Sequence, residues 1–190
     1  SALCTPVITL MKVDLPAPDI FFGNDKMEVT DTDIYKSEQV FTQGQMITVT
    51  GIDNLNEWWI DPDFFEKQSD GALKFLPING DYRVTANAVL KYFSVMALKD
   101  GKPAKLQDDG TGAIWAIGKG IGKPSVASSE VGWEPGKALC LAQVAPKKYQ
   151  LTLKAGETLK TSGDPEVISF KFFHQNDWGG EFGNYANSIL

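Results

Sequence analysis

The chain has 190 residues, of which 43% are hydrophobic, so it can bury a core in one large domain or two small ones. Its 24 acidic and 18 basic residues give a net charge of -6, which repels phosphate backbones and anionic lipid headgroups. This charge argues against nucleic acid as a partner. No run approaches the roughly 20 apolar residues that a bilayer span requires, so we expect no membrane insertion by this chain.

Short runs of β-branched and aromatic residues, separated by Gly, Pro, Asn and Asp, predict an all-β protein. Nowhere do apolar residues recur at helical spacing for long enough to predict a helix. In chain order, the predicted strands are 6–13, 38–42, 46–52, 72–76, 81–86, 89–97, 113–118, 138–144, 148–154 and 166–174.

The clearest local unit is the pair of strands 81–86 and 89–97. Tyr82, Val84 and Ala86 alternate with more polar residues before the chain turns back. Because alternate side chains of a strand point to opposite faces, this pattern predicts an antiparallel hairpin with one buried face and one wet face.

Turn-forming and charged residues concentrate between Lys99 and Gly112. We therefore predict two antiparallel β-sandwich domains in tandem, of the immunoglobulin-like or carbohydrate-binding-module-like kind. The predicted first domain covers residues 1–100, a linker covers 101–112, and the second domain covers 113–190.

Two matching triplets suggest that the halves are repeats, namely Asn56-Glu57-Trp58 and Asn176-Asp177-Trp178. The first triplet is followed by further predicted strands, whereas the chain stops soon after the second. If the halves are repeats, the second sandwich is incomplete at its C-terminus within this chain.

The stretch from Ile168 to Gly183 combines an apolar strand with a polar, Gly-rich end. Alternation predicts that Ile168, Phe170 and Phe172 face the core, while Lys171 and Phe173 face the other way. The strand then leads into Asn176-Asp177-Trp178-Gly179-Gly180. An indole among amides, a carboxylate and glycines fits a platform on which a sugar ring stacks. Covering an open end of the sandwich is the alternative role for this Trp.

Several motifs of the second half together resemble the repeated domain of SusE and SusF, the outer-membrane glycan-binding lipoproteins of Bacteroidetes. They are Ala113-Ile-Trp-Ala-Ile-Gly, Gly132-Trp133, Lys154-Ala-Gly-Glu and Phe170-Lys-Phe-Phe-His-Gln-Asn-Asp-Trp-Gly. The resemblance implies non-catalytic binding of a glycan, either an α-glucan or another polysaccharide, within a glycan-uptake system. It also implies export to the bacterial outer-membrane surface or periplasm, with other outer-membrane uptake proteins as partners. The signal peptide and anchor are expected outside this chain.

Carried over by motif, the resemblance implies an aromatic cradle formed by Trp133 and Trp178. Lys171, Asn176 and Asp177 would add polar contacts to the sugar. Further candidates from composition and position are Trp58, Trp59, His174 and Glu181.

Two other function classes stay open. The acidic loop with Glu57, Asp61, Asp63 and Glu66 could supply a glycosidase carboxylate pair or calcium ligands, but its spacing matches no known motif. His174, the only histidine, has no serine or cysteine motif to serve. We expect no catalytic residues, metal or cofactor. Exposed aromatic residues also serve protein interfaces, so a structural or docking module of an outer-membrane assembly is the main alternative.

Overall fold

A computed structural model describes residues 7–11, 16–161 and 168–182. Within these ranges the chain is built almost entirely of antiparallel strands, and the predicted all-β, sandwich-type fold is confirmed. Besides strands, these ranges contain a one-turn helix, α1 (Val126–Ser129), and two 3-10 turns at Leu55–Glu57 and Pro135–Lys137.

Eleven strands lie in the described residues of the first half of the chain. They form a five-stranded sheet, ordered β11-β10-β9-β4-β3, and two three-stranded sheets, ordered β2-β1-β6 and β5-β8-β7. The strands are β1 (Phe21–Phe22), β2 (Asp25–Lys26), β3 (Glu28–Asp31), β4 (Ile34–Phe41), β5 (Met46–Ile47), β6 (Val49–Thr50), β7 (Phe65–Lys67), β8 (Leu73–Phe75), β9 (Gly80–Asn87), β10 (Tyr92–Lys99) and β11 (Lys102–Pro103).

Aromatic side chains from these sheets meet in one core. The ring centroid of Phe22 lies 6.1 Å from that of Phe41, 5.6 Å from Phe65 and 5.2 Å from Phe93. All four rings are buried. Their burial and edge-to-face contacts hold the five-stranded sheet against the smaller ones.

The predicted hairpin is confirmed. Strands β9 and β10 pair antiparallel from Tyr92 opposite Asn87 to Leu98 opposite Asp81, and Tyr82, Val84 and Ala86 are buried. The second strand begins three residues later than predicted. The reason is the turn, in which the Asn87 side-chain oxygen accepts hydrogen bonds from the two backbone N–H groups that follow Ala88.

In the second half, residues 113–161 and 168–182 contain six strands. Strand β12 is the centre of its sheet, with β17 on one side and β13 and β14 on the other, and β15 pairs with β16. The strands are β12 (Trp115–Gly122), β13 (Glu130–Gly132), β14 (Leu139–Cys140), β15 (Ala142–Ala145), β16 (Lys148–Gln150) and β17 (Ser169–Phe173).

Gly118 is required where β12 meets β17. Its φ is +147°, and an added Cβ would lie 2.3 Å from the Cα of Phe170. Any side chain here would therefore push β17 away, so the glycine lets the two backbones lie side by side. Strand β17 carries the segment that leads to Trp178.

The segment predicted as a linker is packed against both halves. Lys102 and Pro103 form β11 and extend the first five-stranded sheet. Ala104 is 2% exposed in the second core, where its carbonyl accepts a 3.0 Å hydrogen bond from the Trp115 indole. The turn-forming residues thus indicated a connection between the two halves. The sequence did not predict that residues 102–103 pair with β10.

The predicted strand 6–13 is wrong for residues 7–11, which form no strand and are exposed; residues 6, 12 and 13 lie outside the described ranges. An apolar, β-branched run such as this one forms a strand only where a neighbouring strand pairs with it.

Candidate functional site

The loops that carry Trp133 and Trp178 are shaped by glycines in left-handed conformations. Gly132 at the end of β13 has φ +58°, and Gly179 and Gly180 have φ values of +86° and +65°. Such conformations are open to glycine at little cost. After Trp178 the chain folds back onto β17, and the His174 amide donates a 2.7 Å hydrogen bond to the Gly180 carbonyl.

The structure brings these two indoles together, and we call them the tryptophan pair. Their ring centroids are 6.4 Å apart and their planes are inclined by 26°. Trp133 is 37% exposed and Trp178 is 50% exposed. The edge-to-face contact of Trp178 with the buried Phe173, at 5.9 Å, joins the pair to the second core. The result is an exposed aromatic surface on a packed support.

The burial of Phe173 contradicts the prediction that this side chain of β17 faces away from the core. It is 2% exposed and belongs to the second core, whereas Phe170 and Phe172 are only half-buried against that core. Phe173 lies at the end of the strand opposite Trp115 of β12, which is fully buried. Alternation alone did not capture this burial, because the end of the strand is covered by the returning chain.

The polar residues before Trp178 shape its turn. The Asp177 side-chain oxygen Oδ1 accepts a 2.7 Å hydrogen bond from the Trp178 amide, and Gln175 Nε2 donates a 2.5 Å bond to the Trp178 carbonyl. Asn176 Oδ1 is buried and accepts no hydrogen bond within the described residues. Asp177 therefore holds the indole in place through one oxygen, a role that the sequence did not predict.

Three further candidates lie on the same strand and its return. Lys171 Nζ lies 3.0 Å from Glu181, and both side chains are about half exposed. His174 is exposed, and its ring packs edge-on against Phe182 at 4.2 Å. The ion pair is exposed and therefore weak, so either partner can exchange it for a ligand at small cost.

The two Trp residues of the first half differ from this arrangement. Trp58 is 6% exposed and stacks on Phe93 at 4.7 Å, so its faces are covered by the first core. It offers no surface to a ligand, contrary to its candidacy from sequence. Trp59 is half-buried and lies beside Tyr92. The matching triplets thus place their Trp residues in unlike environments.

Comparison with protein families finds one matching family model for each half of the chain. A family model described as Domain of unknown function (DUF5125) matches residues 9–106, more than half of the chain. The chain belongs to the DUF5125 family. A second model, described as Domain of unknown function (DUF5121), matches residues 109–189 and contains the tryptophan pair. No curated protein and no solved structure matches the chain.

The acidic loop of the DUF5125 part binds a lysine of the DUF5121 part. Lys123 Nζ lies 2.9 Å from both side-chain oxygens of Asp61 and 2.7 Å from Asp63. Asp63 also accepts hydrogen bonds from Gln150 Nε2 at 2.8 Å and from the amide and hydroxyl of Thr152 at 2.7 and 2.5 Å. We call these five residues the Lys123 cluster. Its three charged side chains are at most 9% exposed.

Asp61 and Asp63 share Lys123, but their pKa values are shifted in opposite directions. Burial acts to raise the pKa of Asp63, but Lys123 and the donors of Thr152 hold it below its ordinary value. Burial raises the pKa of Asp61, which has fewer donors, in spite of Lys123. Both carboxylates are thus engaged in joining the two halves. No cluster of His, Cys, Asp and Glu suited to a metal is found among the described residues.

No signal in the sequence pointed to the Lys123 cluster, because Lys123 lies 60 residues from Asp63. A local spacing rule cannot detect such a pair.

The described residues also contain no helix that is long and apolar enough to cross a membrane.

Proposed function

We propose that this protein binds a glycan at the tryptophan pair without cleaving it. The observation that carries the proposal is the placement of two exposed indoles 6.4 Å apart on loops shaped by glycines. The apolar face of a pyranose ring stacks on such rings, while its rim hydroxyls seek hydrogen bonds. The site itself would hold an α-glucan or another polysaccharide.

Polar groups beside the pair support this proposal. Asp177 has a second oxygen, and Lys171 and Glu181 form an exposed pair that can open toward a ligand. Asn176 Oδ1 has no partner among the described residues but is buried, so it would bond to a sugar hydroxyl only if the turn before Trp178 opened. The resemblance to SusE and SusF agrees with a role at the bacterial cell surface or in the periplasm, beside other uptake proteins.

Binding should depend on Trp178 while folding should not. We expect Trp178→Ala to weaken retention on the best ligand of a neutral-glycan array by about 1–3 kcal/mol, since this is the usual contribution of one stacking ring. Trp133→Ala should act in the same direction. The melting temperature should change little, because Trp178 is 50% exposed.

Two control variants sharpen this experiment. Trp178→Phe keeps an aromatic face and should retain part of the affinity, and Val40→Ala changes a residue that is 69% exposed in the first half. A Trp178→Ala protein that stays folded and binds like the parent would remove the pair from the site. If no glycan is retained by the parent, docking to another protein becomes the better account of the exposed rings.

Bound glycan should be released unchanged. The buried carboxylates Asp61 and Asp63 are engaged by Lys123, and burial raises the pKa of the Cys140 thiol to about 12, which makes it a poor nucleophile. Prolonged incubation of the retained glycan with the protein, followed by chromatography, should yield no shorter product. Product formation at catalytic turnover, lost in a Glu181→Gln variant, would contradict this expectation.

A further inference from the structure

A cavity of about 450 Å³ is lined by residues of both halves and lies far along the chain from Trp178. One wall is strand β10, with Tyr92, Ser94 and Met96. The opposite wall comes from residues 128–129 and 136–140 of the second half. Ser94 and residues 128 and 136–137 of the lining are exposed, so the cavity is open to solvent. We call it the interdomain cleft.

Aromatic rings line one side of the cleft. Trp59 is positioned by a 2.8 Å hydrogen bond from its amide to the Lys91 carbonyl, and it forms a backbone bridge with Tyr92. Both residues are half-buried, so each keeps part of its ring accessible. Unlike Trp58, these two side chains contribute to the lining of a space large enough for a ligand.

Neutral polar groups complete the lining. Ser94 and Ser128 contribute exposed hydroxyls. The Asn87 oxygen is used by two backbone N–H groups of the hairpin turn, and this orientation leaves its NH₂ group as a donor. Hydroxyl and amide groups beside aromatic rings can pair with the hydroxyls of a ligand while the rings cover its apolar face.

The charges of the cleft cancel. Asp61 and Lys123 both reach its lining, but they pair with each other at 2.9 Å. Lys137 of the outer wall pairs with Glu134 at 2.9 Å. A charged ligand would have to break the buried Asp61–Lys123 pair or stay uncompensated beside it in a partly buried space. An uncharged ligand avoids both costs.

We infer that the interdomain cleft is a second binding site, for an uncharged, polyhydroxylated ligand the size of a short oligosaccharide. The class of ligand follows from the lining of the cleft and does not depend on the tryptophan pair. The Lys123 cluster fixes the two walls relative to each other before the ligand arrives, which lowers the entropic cost of binding.

The test uses maltotriose and cellotriose, one α-linked and one β-linked, titrated separately into the whole chain while the indole N–H signals are recorded. At least one should shift the Trp59 signal saturably. Trp59→Ala and, independently, the space-filling variant Ser94→Tyr should weaken that binding about tenfold or more, equivalent to about 1.4 kcal/mol. Ser94 is exposed, so its replacement leaves the fold intact even if Trp59→Ala does not.

Trp178→Ala should leave the Trp59 titration unchanged, and this result separates the cleft from the tryptophan pair. Failure of both trisaccharides to shift Trp59 would overturn the inference, whatever the array shows for the pair. Unchanged binding in folded Ser94→Tyr would overturn it as well. Tighter binding of glucuronic acid than of either trisaccharide would contradict the uncharged class of ligand.

Discussion

Replacing Asp63 by Ala should lower the free energy of unfolding by about 3–5 kcal/mol, because it removes a buried acceptor from several buried donors and leaves them unsatisfied. Asp63 is 1% exposed and accepts hydrogen bonds from Lys123, Gln150 and Thr152. Its loss would leave these donors unsatisfied. Since they belong to the second half, the variant should also loosen the contact between the halves. Urea unfolding measures the change.

Glu66→Ala is the matched control for Asp63→Ala, because Glu66 lies three residues further on, in β7, but is exposed. It should change stability by less than about 0.5 kcal/mol. The double variant Asp63→Ala with Lys123→Met should lose more stability than Asp63→Ala alone, because it also leaves the buried Asp61 carboxylate without a cation. A loss below about 1 kcal/mol in Asp63→Ala would mean that the Lys123 cluster does not stabilise the fold.

Replacing Gly118 by Ala should lower the free energy of unfolding by about 3–5 kcal/mol, through backbone strain and overlap together. The φ of +147° disfavours a side chain, and the added Cβ would lie 2.3 Å from both Phe170 Cα and Ser169 O. Strand β17 must then move away from β12. Because β17 leads to Trp178, glycan retention should fall together with the melting temperature.

The variant Gly156→Ala separates backbone strain from steric overlap of the added Cβ. Gly156 also has a positive φ, of +82°, but an added Cβ would meet nothing within 4 Å. This variant should lose only about 1 kcal/mol, the cost of strain alone, and keep full glycan retention. Equal losses in the two variants would show that the close approach of β12 and β17 is not what Gly118 provides.

The alternation of apolar and polar residues along the sequence predicted those parts of the fold that neighbouring residues determine. The hairpin of β9 and β10 followed from the alternation of Tyr82, Val84 and Ala86. Local sequence pattern failed for residues 7–11, an apolar run that pairs with no strand among the described residues. It also failed for Phe173, whose burial depends on the chain that returns after Trp178.

The candidate site required information that no local pattern contains. Trp133 and Trp178 are 45 residues apart, and the resemblance to SusE and SusF was the reason to pair them. Lys123 contacts Asp61 and Asp63 from the other half, and the interdomain cleft exists only once both halves are placed. Such arrangements are set by tertiary packing, so periodicity and spacing cannot reveal them.

The five indole N–H signals offer the most direct test of glycan binding at the tryptophan pair. The glycan best retained on the array is titrated into the parent protein. The signals of Trp133 and Trp178 should shift together and saturably. The signal of Trp58 should stay in place, because this side chain is 6% exposed and stacks on Phe93 in the first core. Saturable binding that leaves both Trp133 and Trp178 unmoved would contradict the proposed function.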